Sequence, residues 1–372
     1  MNPLTAETIE NLKTDLGNGI GFPAAWYTDA GITELEYNHI FHKSWQYFCR
    51  TAQLENSGDY VTGTVGRTPV VAVRDGEKIN AFINVCRHRR HLVMEGCGNK
   101  KVMVCHYHAW SYELNGKLKG APRSDGDESF CKEELGLLPA KAEVWGPWVF
   151  INLDTEAPPL AQKLGKLPEI IAESGLVLND LVFHDRSEWK ARANWKVMLE
   201  NYLECYHCSI AHPGFSQMID VDAAAYLLQP HDGFTSQIAH VKPSALSGQG
   251  KKPKYNAIGA VTQAQYHCLF PNFTININPG FPNLSIDVWL PMGPNLAQGF
   301  SEQYFGADVD PAFAEELIAF NVEVGNEDDE LTDAVQQGLI GGQPARGRYL
   351  RNAEPLPIHF NKHILSALSA AV

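Results

Sequence analysis

The 372-residue sequence lacks any apolar run that approaches the roughly 20 residues needed to cross a bilayer. It also lacks an excess of positive charge, because 30 Lys and Arg residues stand against 43 Asp and Glu, a net charge of −13. An acidic surface repels phosphate backbones and anionic lipids, so we expect neither nucleic acid nor membrane as a partner. The first residues show no basic segment followed by an apolar one, as a signal peptide requires. The expected location is the cytoplasm.

Internal repeats, low-complexity tracts and motifs for binding flavin or NAD are absent from the sequence as well. Any reducing equivalents that the protein uses must therefore come from outside. The eight cysteines are not expected to form a disulfide framework in a reducing compartment, and some of them are candidates for metal binding. Four have no ligand-like spacing and are expected to be small buried hydrophobic residues: Cys49, Cys97, Cys131 and Cys268.

The pattern of the sequence changes twice along the chain. Residues 1–45 predict an N-terminal helical segment, and residues 46–155 predict a small antiparallel β domain from short β-rich runs separated by Gly, Asn and Asp. Residues 156–372 mix strand and helix patterns and predict an α+β domain. The length is sufficient for two domains.

The first group of chemically distinctive residues is C-x-H followed sixteen residues later by C-x-x-H: Cys86, His88, Cys105 and His108. Each pair follows a β-like run, so two hairpin loops could present four ligands to one site. Because each loop supplies one thiolate and one imidazole, the order fits a [2Fe–2S] cluster in which two Cys hold one iron and two His the other. A structural zinc ion is the alternative for the same donors.

Three further residues lie inside this run but outside its spacing. We expect Cys97 to be structural, and His91 and His106 to form local hydrogen bonds.

The second group lies in "NWKVMLENYLECYHCSIAHPGF". Glu200, Glu204 and His207 have the spacing i, i+4, i+7, which predicts one face of a helix. His212 follows His207 by five residues and can converge with it only if the helix distorts or ends. Pro213 favours such an end, because the residue before proline is pushed out of the α region.

Two histidines need a carboxylate to complete the facial triad of a non-haem Fe(II) site. Asp328 and Asp329 are the candidates, although acids at the predicted start of a helix also simply favour the macrodipole. The spacing Cys205-x-x-Cys208 is in addition typical of a redox or zinc pair. We instead expect both cysteines to pack in the surroundings of the helix.

Together the two groups resemble the terminal-component α subunits of Rieske non-haem iron oxygenases, over roughly residues 40–372. The resemblance implies an α+β protein with an antiparallel β Rieske [2Fe–2S] domain and a catalytic domain of helix-grip type (Bet v1/START-like), a curved antiparallel sheet around a long helix. It implies that the cluster ligands are Cys86, His88, Cys105 and His108, and that the mononuclear Fe(II) ligands are His207, His212 and Asp328. Asp328 is selected over Asp329 because "VQQGL", with Gln336 in register, follows it at the family spacing.

Glu204 stands where most of the family has Asp. "ENYLECYHC" resembles the subgroup that oxidises quaternary ammonium compounds, the carnitine, glycine betaine and stachydrine oxygenases. In this family the carboxylate connects the two metal centres between neighbouring subunits of a trimer (α3). The resemblance thus implies that Glu204 accepts hydrogen bonds from His207 and from His108 of the partner subunit.

The resemblance implies a monooxygenase that receives electrons from NAD(P)H through a separate reductase of flavin or ferredoxin type. Dioxygen would oxidise a carbon next to the nitrogen of a small betaine-type substrate, with N-demethylation or C–N cleavage. The alternative is ring hydroxylation or O-demethylation of an aromatic acid, and a non-enzymatic electron carrier or zinc-stabilised binding protein leaves residues 194–339 unexplained. A trimethylammonium group is best held by aromatic faces, and the candidates are Tyr202, Tyr206, Phe215, Phe270, Phe273 and Trp289.

Overall fold

The computed structural model describes residues 4–247 and 252–371. The chain divides into two compact units: one is Phe41–Leu160, and the other joins Met1–Ile40 to Ala161–Val372. The N-terminal helices therefore group with the C-terminal part of the chain. Helices and sheets are mixed, which confirms the predicted α+β class.

The strands of the described residues are β1 (Ile20–Pro23), β2 (Gln46–Arg50), β3 (Asp59–Val65), β4 (Thr68–Asp75), β5 (Lys78–Ile83), β6 (Cys97–Asn99), β7 (Met103–Val104), β8 (Ser111–Tyr112), β9 (Leu118–Gly120), β10 (Pro139–Trp145), β11 (Trp148–Asn152), β12 (Leu181–Ala191), β13 (Leu227–Pro230), β14 (Phe234–His240), β15 (Gln263–Leu269), β16 (Phe273–Ile277), β17 (Asn283–Gly293), β18 (Leu296–Gly306) and β19 (Arg346–Arg348). The helices are α1 (Ala6–Gly17), α2 (Ala25–Thr28), α3 (Ala30–His39), α4 (Leu160–Leu164), α5 (Leu167–Glu173), α6 (Trp195–Tyr202), α7 (Cys208–Ala211), α8 (Pro213–Met218), α9 (Pro243–Ser247), α10 (Pro311–Gly341) and α11 (Pro355–Leu368).

The smaller unit contains a sheet in the order β2-β11-β10-β5-β4-β3-β6 and a short sheet β7-β8-β9. Val70, Val71, Ala72 and Val73 of β4 are all buried, so this strand is covered on both faces. One core cluster contains Cys86 and Cys105 together with residues of the short sheet, such as Met103 and Tyr112. The two cysteine-bearing loops are therefore held on a packed base.

The larger unit is built on one antiparallel sheet in the order β12-β18-β17-β16-β15-β14-β13. The 31-residue helix α10 has Asp310 as its N-cap and Pro311 in its first turn. It is followed by Gly342, whose φ of 69° provides the left-handed C-terminal cap. Asp328 and Asp329 lie in the middle of α10 rather than at the start of a helix, so the macrodipole interpretation of these acids was wrong. Among the described helices, none combines the length and apolar character of a membrane span.

Candidate active site

Two loops of the smaller unit share one backbone conformation. In the first, the N–H of Cys86 donates to the carbonyl of His91 (2.8 Å) and the N–H of Arg90 donates to the carbonyl of Cys86 (3.1 Å). In the second, the N–H of Cys105 donates to the carbonyl of Trp110 (2.9 Å) and that of Ala109 to the carbonyl of Cys105 (3.0 Å). Arg90 and Ala109, which occupy the same position in the two loops, have φ of 59° and 56°, a conformation that costs a residue other than glycine about 1–2 kcal/mol. The loops are thus a matched pair.

The loops bring the four predicted cluster residues together. Cys86 and Cys105 are buried, while the rings of His88 and His108 lie 4.6 Å apart between centroids. His88 also stacks on Trp110, with centroids 5.0 Å apart. Two sulfur donors on a buried base and two imidazoles at the exposed end fit a [2Fe–2S] cluster with one Cys₂ iron and one His₂ iron.

The surroundings of Cys105 favour its protonated form. Burial raises the pKa of Cys105, and its neighbour Cys86 adds to the shift. The Tyr112 hydroxyl lies 3.3 Å from Cys86 Sγ and accepts the N–H of Arg87 at 3.0 Å. Because a ligand sulfur must be deprotonated, binding of an iron centre here would remove the protons that burial favours.

Of the other predictions for histidines and cysteines, some agree with the structure and some do not. His91 makes the expected local contact, with its Nδ1 2.6 Å from the carbonyl of Leu92. The prediction that Cys97 and Cys131 are buried was wrong, because both are exposed, Cys97 on the short strand β6. Cys49 and Cys268 are buried as expected.

The second group of residues lies where the helix pattern breaks. Helix α6 ends at Tyr202, so the predicted single helical face for Glu200, Glu204 and His207 was wrong. Glu200 instead accepts hydrogen bonds from Tyr27 (2.7 Å) and from Asn361 (2.9 Å), away from the histidines. The Glu204 carboxylate accepts the backbone N–H groups of Tyr206 and His207, which replaces helical hydrogen bonds and fixes the turn.

His207 and His212 converge with Asp328 beyond this turn. His212 has φ −117° and ψ 72°, outside the α region, as expected for a residue before proline. His207 Nε2 and His212 Nε2 are 3.0 Å apart, and Asp328 Oδ1 lies 3.0 Å from His212 Nε2 and 3.5 Å from His207 Nε2. Three donors at right angles around one ion, with bonds of about 2.1 Å, would be about 3.0 Å apart. The residues therefore fit a 2-His-1-carboxylate iron site, with Asp328 rather than Asp329 in the group.

Each of these donors has its own supporting residue. His207 Nδ1 contacts Glu204, His212 Nδ1 lies 2.7 Å from Glu327 Oε2, and Asn201 Nδ2 donates to Asp328 Oδ1 at 2.6 Å. A carboxylate on Nδ1 fixes the tautomer that leaves Nε2 free for a metal. Neither Glu327 nor Asn201 was predicted to have a role. Glu327 directly precedes Asp328, and this adjacency was the signal for it, whereas nothing in the local sequence distinguishes Asn201.

The electrostatics of this group favour a cation. Burial lowers the pKa of His207, but hydrogen bonds to Asp328 and Glu204 outweigh it and raise the pKa to about 9. The pKa of His212 is also raised, because its carboxylate partners outweigh the effect of burial. Burial alone would raise the pKa of Asp328, yet its hydrogen bonds to the two histidines lower it to about 2. The negative charge that stabilises these protons would equally stabilise a divalent metal ion.

Cys205 and Cys208 form a disulfide, which corrects the expectation that they pack as separate thiols. Their Cα atoms are 4.9 Å apart, a separation within the range of disulfides. The turn after α6 brings them together, and both side chains are largely buried.

A cavity of about 520 Å³ opens against His207, His212 and Asp328. Three of the six predicted aromatic residues line it, namely Tyr202, Phe215 and Trp289. The prediction was wrong for the other three: Tyr206 is 62% exposed, Phe273 is in the core, and Phe270 lines a separate small cavity with His359. Four further aromatic residues of the cavity wall were not predicted from the sequence: Trp189, Tyr226, Tyr266 and Phe320.

A thiolate–imidazole site on a β domain, together with a 2-His-1-carboxylate site beside a cavity in an α+β domain, defines a two-centre iron oxygenase. The family model for the Rieske [2Fe-2S] domain matches residues 44–133, and the model for the ring hydroxylating alpha subunit (catalytic domain) matches residues 178–370. The chain therefore belongs to the ring-hydroxylating α-subunit family, the Rieske non-haem iron oxygenases.

Relatives and solved structures agree with this family. The chain is 32% identical to the chloroplastic choline monooxygenase of Atriplex hortensis, over 91% of this chain and 76% of that protein. It is 32% identical to the carnitine monooxygenase oxygenase subunit of Acinetobacter pittii, over 90% and 89%. The crystal structure of the quaternary ammonium Rieske monooxygenase CntA with L-carnitine superposes with a TM-score of 0.79 at 28% identity, covering 96% of this chain and 98% of that one.

The family membership confirms several predictions. The protein is an oxidoreductase of the oxygenase class, and its cofactors are a Rieske [2Fe–2S] cluster and mononuclear iron. As a terminal oxygenase it depends on a partner reductase for electrons. Naphthalene 1,2-dioxygenase from a Rhodococcus species, 19% identical with a TM-score of 0.77, shares the fold.

Proposed function

We propose that the protein oxidises a small quaternary ammonium compound at a carbon bonded to nitrogen, with subsequent C–N cleavage. The observation that carries this proposal is the wall of the cavity beside His207, His212 and Asp328, which is aromatic and acidic. Among the described residues that line it, none is Lys or Arg. Such a wall attracts a cation through carboxylates and aromatic faces, and it offers no guanidinium or ammonium group to an aromatic acid. The similarity to choline and carnitine monooxygenases supports the same substrate class.

In this proposal His207, His212 and Asp328 hold the mononuclear iron, which activates dioxygen when bound. Glu204 and Glu327 each accept an Nδ1–H and so keep both Nε2 atoms directed at the metal. Asn201 fixes the orientation of the Asp328 carboxylate through its donated hydrogen bond. The aromatic wall excludes water from the substrate and positions it beside the open face of the site.

Cys86, Cys105, His88 and His108 are the proposed cluster ligands, and Glu204 the proposed connection between the two centres. Glu204 already contacts Nδ1 of His207. A hydrogen bond to His108 of the partner subunit would complete a short path from cluster to iron. This arrangement needs a closed ring of subunits, and we propose a homotrimer served by a reductase of flavin or ferredoxin type that draws on NAD(P)H.

Oxygen uptake with a surrogate reductase tests the proposed substrate class. We expect uptake that depends on choline or carnitine, with formation of an aldehyde, and only the background rate with benzoate. The aldehyde controls for uptake that merely produces peroxide. Uptake and product formation with benzoate, together with none for either ammonium compound, would refute the proposal.

A further inference from the structure

Asp287 is a carboxylate on the cavity wall that has no part in the metal site. It lies on β17, directly opposite Ser301 of β18 and Thr274 of β16. Asn276 donates to Asp287 Oδ2 at 2.6 Å and Thr274 donates at 3.4 Å, while Ser301 also hydrogen-bonds the carboxylate. These three neutral partners fix the orientation of the carboxylate but leave its charge uncompensated.

The charge of Asp287 has no counterion within residues 4–247 and 252–371, because no Lys, Arg or His there forms an ion pair with it. Burial raises the pKa of Asp287, since the ionised form is poorly solvated there. A carboxylate in a closed wall normally has a cationic partner or a metal. Because the carboxylate faces the cavity, a ligand can supply that missing positive charge.

Two indole rings lie beside Asp287 on the same face of the sheet. Trp189 of β12 and Trp289 of β17 both pair with Gly299 of β18, two residues along the strands from the pair Asp287–Ser301 and so on the same face. Their ring centroids are 5.2 Å apart at an angle of 71°. A Cβ atom at Gly299 would lie 2.6 Å from Trp189 Nε1 and 2.9 Å from Trp289 Cζ3, so the absent side chain is what lets the rings meet.

Two adjacent residues at the end of α6 contact the metal site and the surroundings of Asp287, respectively. Asn201, near the end of α6, donates to Asp328 at 2.6 Å. The next residue, Tyr202, donates its hydroxyl to Asn276 Oδ1 at 2.8 Å, and Asn276 in turn donates to Asp287. Asp287 and Asp328 line the same cavity. Asn201 contacts Asp328, and Tyr202 contacts the Asn276 that holds Asp287.

We propose that Asp287, with the Trp189–Trp289 pair beside it, anchors the ammonium group of the substrate and selects a net cation over a zwitterion. This inference rests on the proposed function and deepens it. The ammonium group neutralises the partly buried carboxylate, and the indoles provide cation–π contact. The polar residues Ser285, Ser301 and Gln303 of the same wall offer hydrogen bonds to a neutral arm. No Lys or Arg of the described wall compensates a substrate carboxylate.

Choline and carnitine form a suitable pair of probes, because both carry a trimethylammonium group and a hydroxyl, and only carnitine has a carboxylate. Calorimetric titration of the holoenzyme should show choline binding more tightly than carnitine. Asp287→Asn should weaken choline binding by about 30-fold or more, the effect of removing one partner of a buried charge pair. Asp308→Asn, which removes the same charge from an exposed loop, should leave binding unchanged.

The outcomes separate this inference from the proposed function. Carnitine binding as tightly as choline to the wild-type protein overturns the inference, whether or not Asp287→Asn folds. The inference is also overturned if a folded Asp287→Asn variant that retains its cluster colour binds choline with unchanged affinity. Neither result contradicts the proposed oxidation of an ammonium compound. Gly299→Ala, which displaces the indole rings, should also weaken choline binding, and full affinity there removes the indole pair from the anchor. If neither compound binds or is oxidised, both the proposed function and this inference fail.

Discussion

His207→Ala is expected to abolish turnover and to remove the mononuclear iron while the cluster remains. The substitution deletes one of three donors that lie 3.0–3.5 Å from one another, and two ligands hold Fe(II) far more weakly than three. The cluster ligands belong to the other compact unit, so their packing is unaffected. Iron content should fall from about three to about two atoms per chain, with the visible spectrum of the [2Fe–2S] centre unchanged.

The opposite variant provides the control for this experiment. Cys86→Ser should bleach the protein but keep one iron per chain. Cys97→Ser changes an exposed cysteine outside the proposed ligands and should keep the colour and about three iron atoms per chain. Loss of the visible spectrum in His207→Ala would contradict the division of the chain into two independent iron sites.

Glu204→Gln is expected to retain both metal centres and to slow electron transfer between them. The amide can still accept the Nδ1–H of His207, but its NH₂ group must then face the backbone N–H of Tyr206, so two donors meet. It also lacks the negative charge that stabilises a proton shared with a second imidazole. We expect cluster reoxidation to slow by about 10–100-fold, the range found when such supporting partners are changed. Stopped-flow absorbance of the reduced protein mixed with oxygen and choline measures this rate.

Glu327→Gln is the matched comparison, because Glu327 supports His212 as Glu204 supports His207. This variant should bind iron less tightly, but once loaded with iron it should reoxidise its cluster at nearly the wild-type rate. Equal slowing in both variants would show that Glu204 acts only by supporting His207, and the proposed path between subunits would lose its basis.

Most residues of the two candidate metal sites could be selected from the sequence because they lie within short segments of fixed spacing, whereas Asp328 was selected by its spacing to Gln336 in the family pattern. C-x-H and C-x-x-H each occupy one loop, and Pro213 already signalled that His212 leaves the helix. The break after Tyr202 was not foreseen, since the i, i+4, i+7 pattern fits a helix equally well. The Glu204 side chain favours a break over a continued helix because it accepts hydrogen bonds from the backbone N–H groups of Tyr206 and His207. Periodicity does not reveal such an interaction.

The cavity wall was less predictable because it is assembled across strands that are distant in sequence. Trp189 and Trp289 are 100 residues apart and meet only through their common pairing with Gly299. Phe270 and Phe273 are also aromatic, but Phe270 lies in the turn between β15 and β16 and lines another cavity, and Phe273 is directed into the core. The face on which a strand residue lies depends on register, and a shift of one residue reverses it. Composition alone therefore suggested aromatic candidates without placing them.

Elemental analysis of iron and acid-labile sulfide after anaerobic reconstitution shows whether one chain carries both a sulfide-bearing cluster and a separate mononuclear iron. We expect about three iron atoms and about two sulfides per chain. Zinc in place of iron, or iron without labile sulfide, would contradict this expectation.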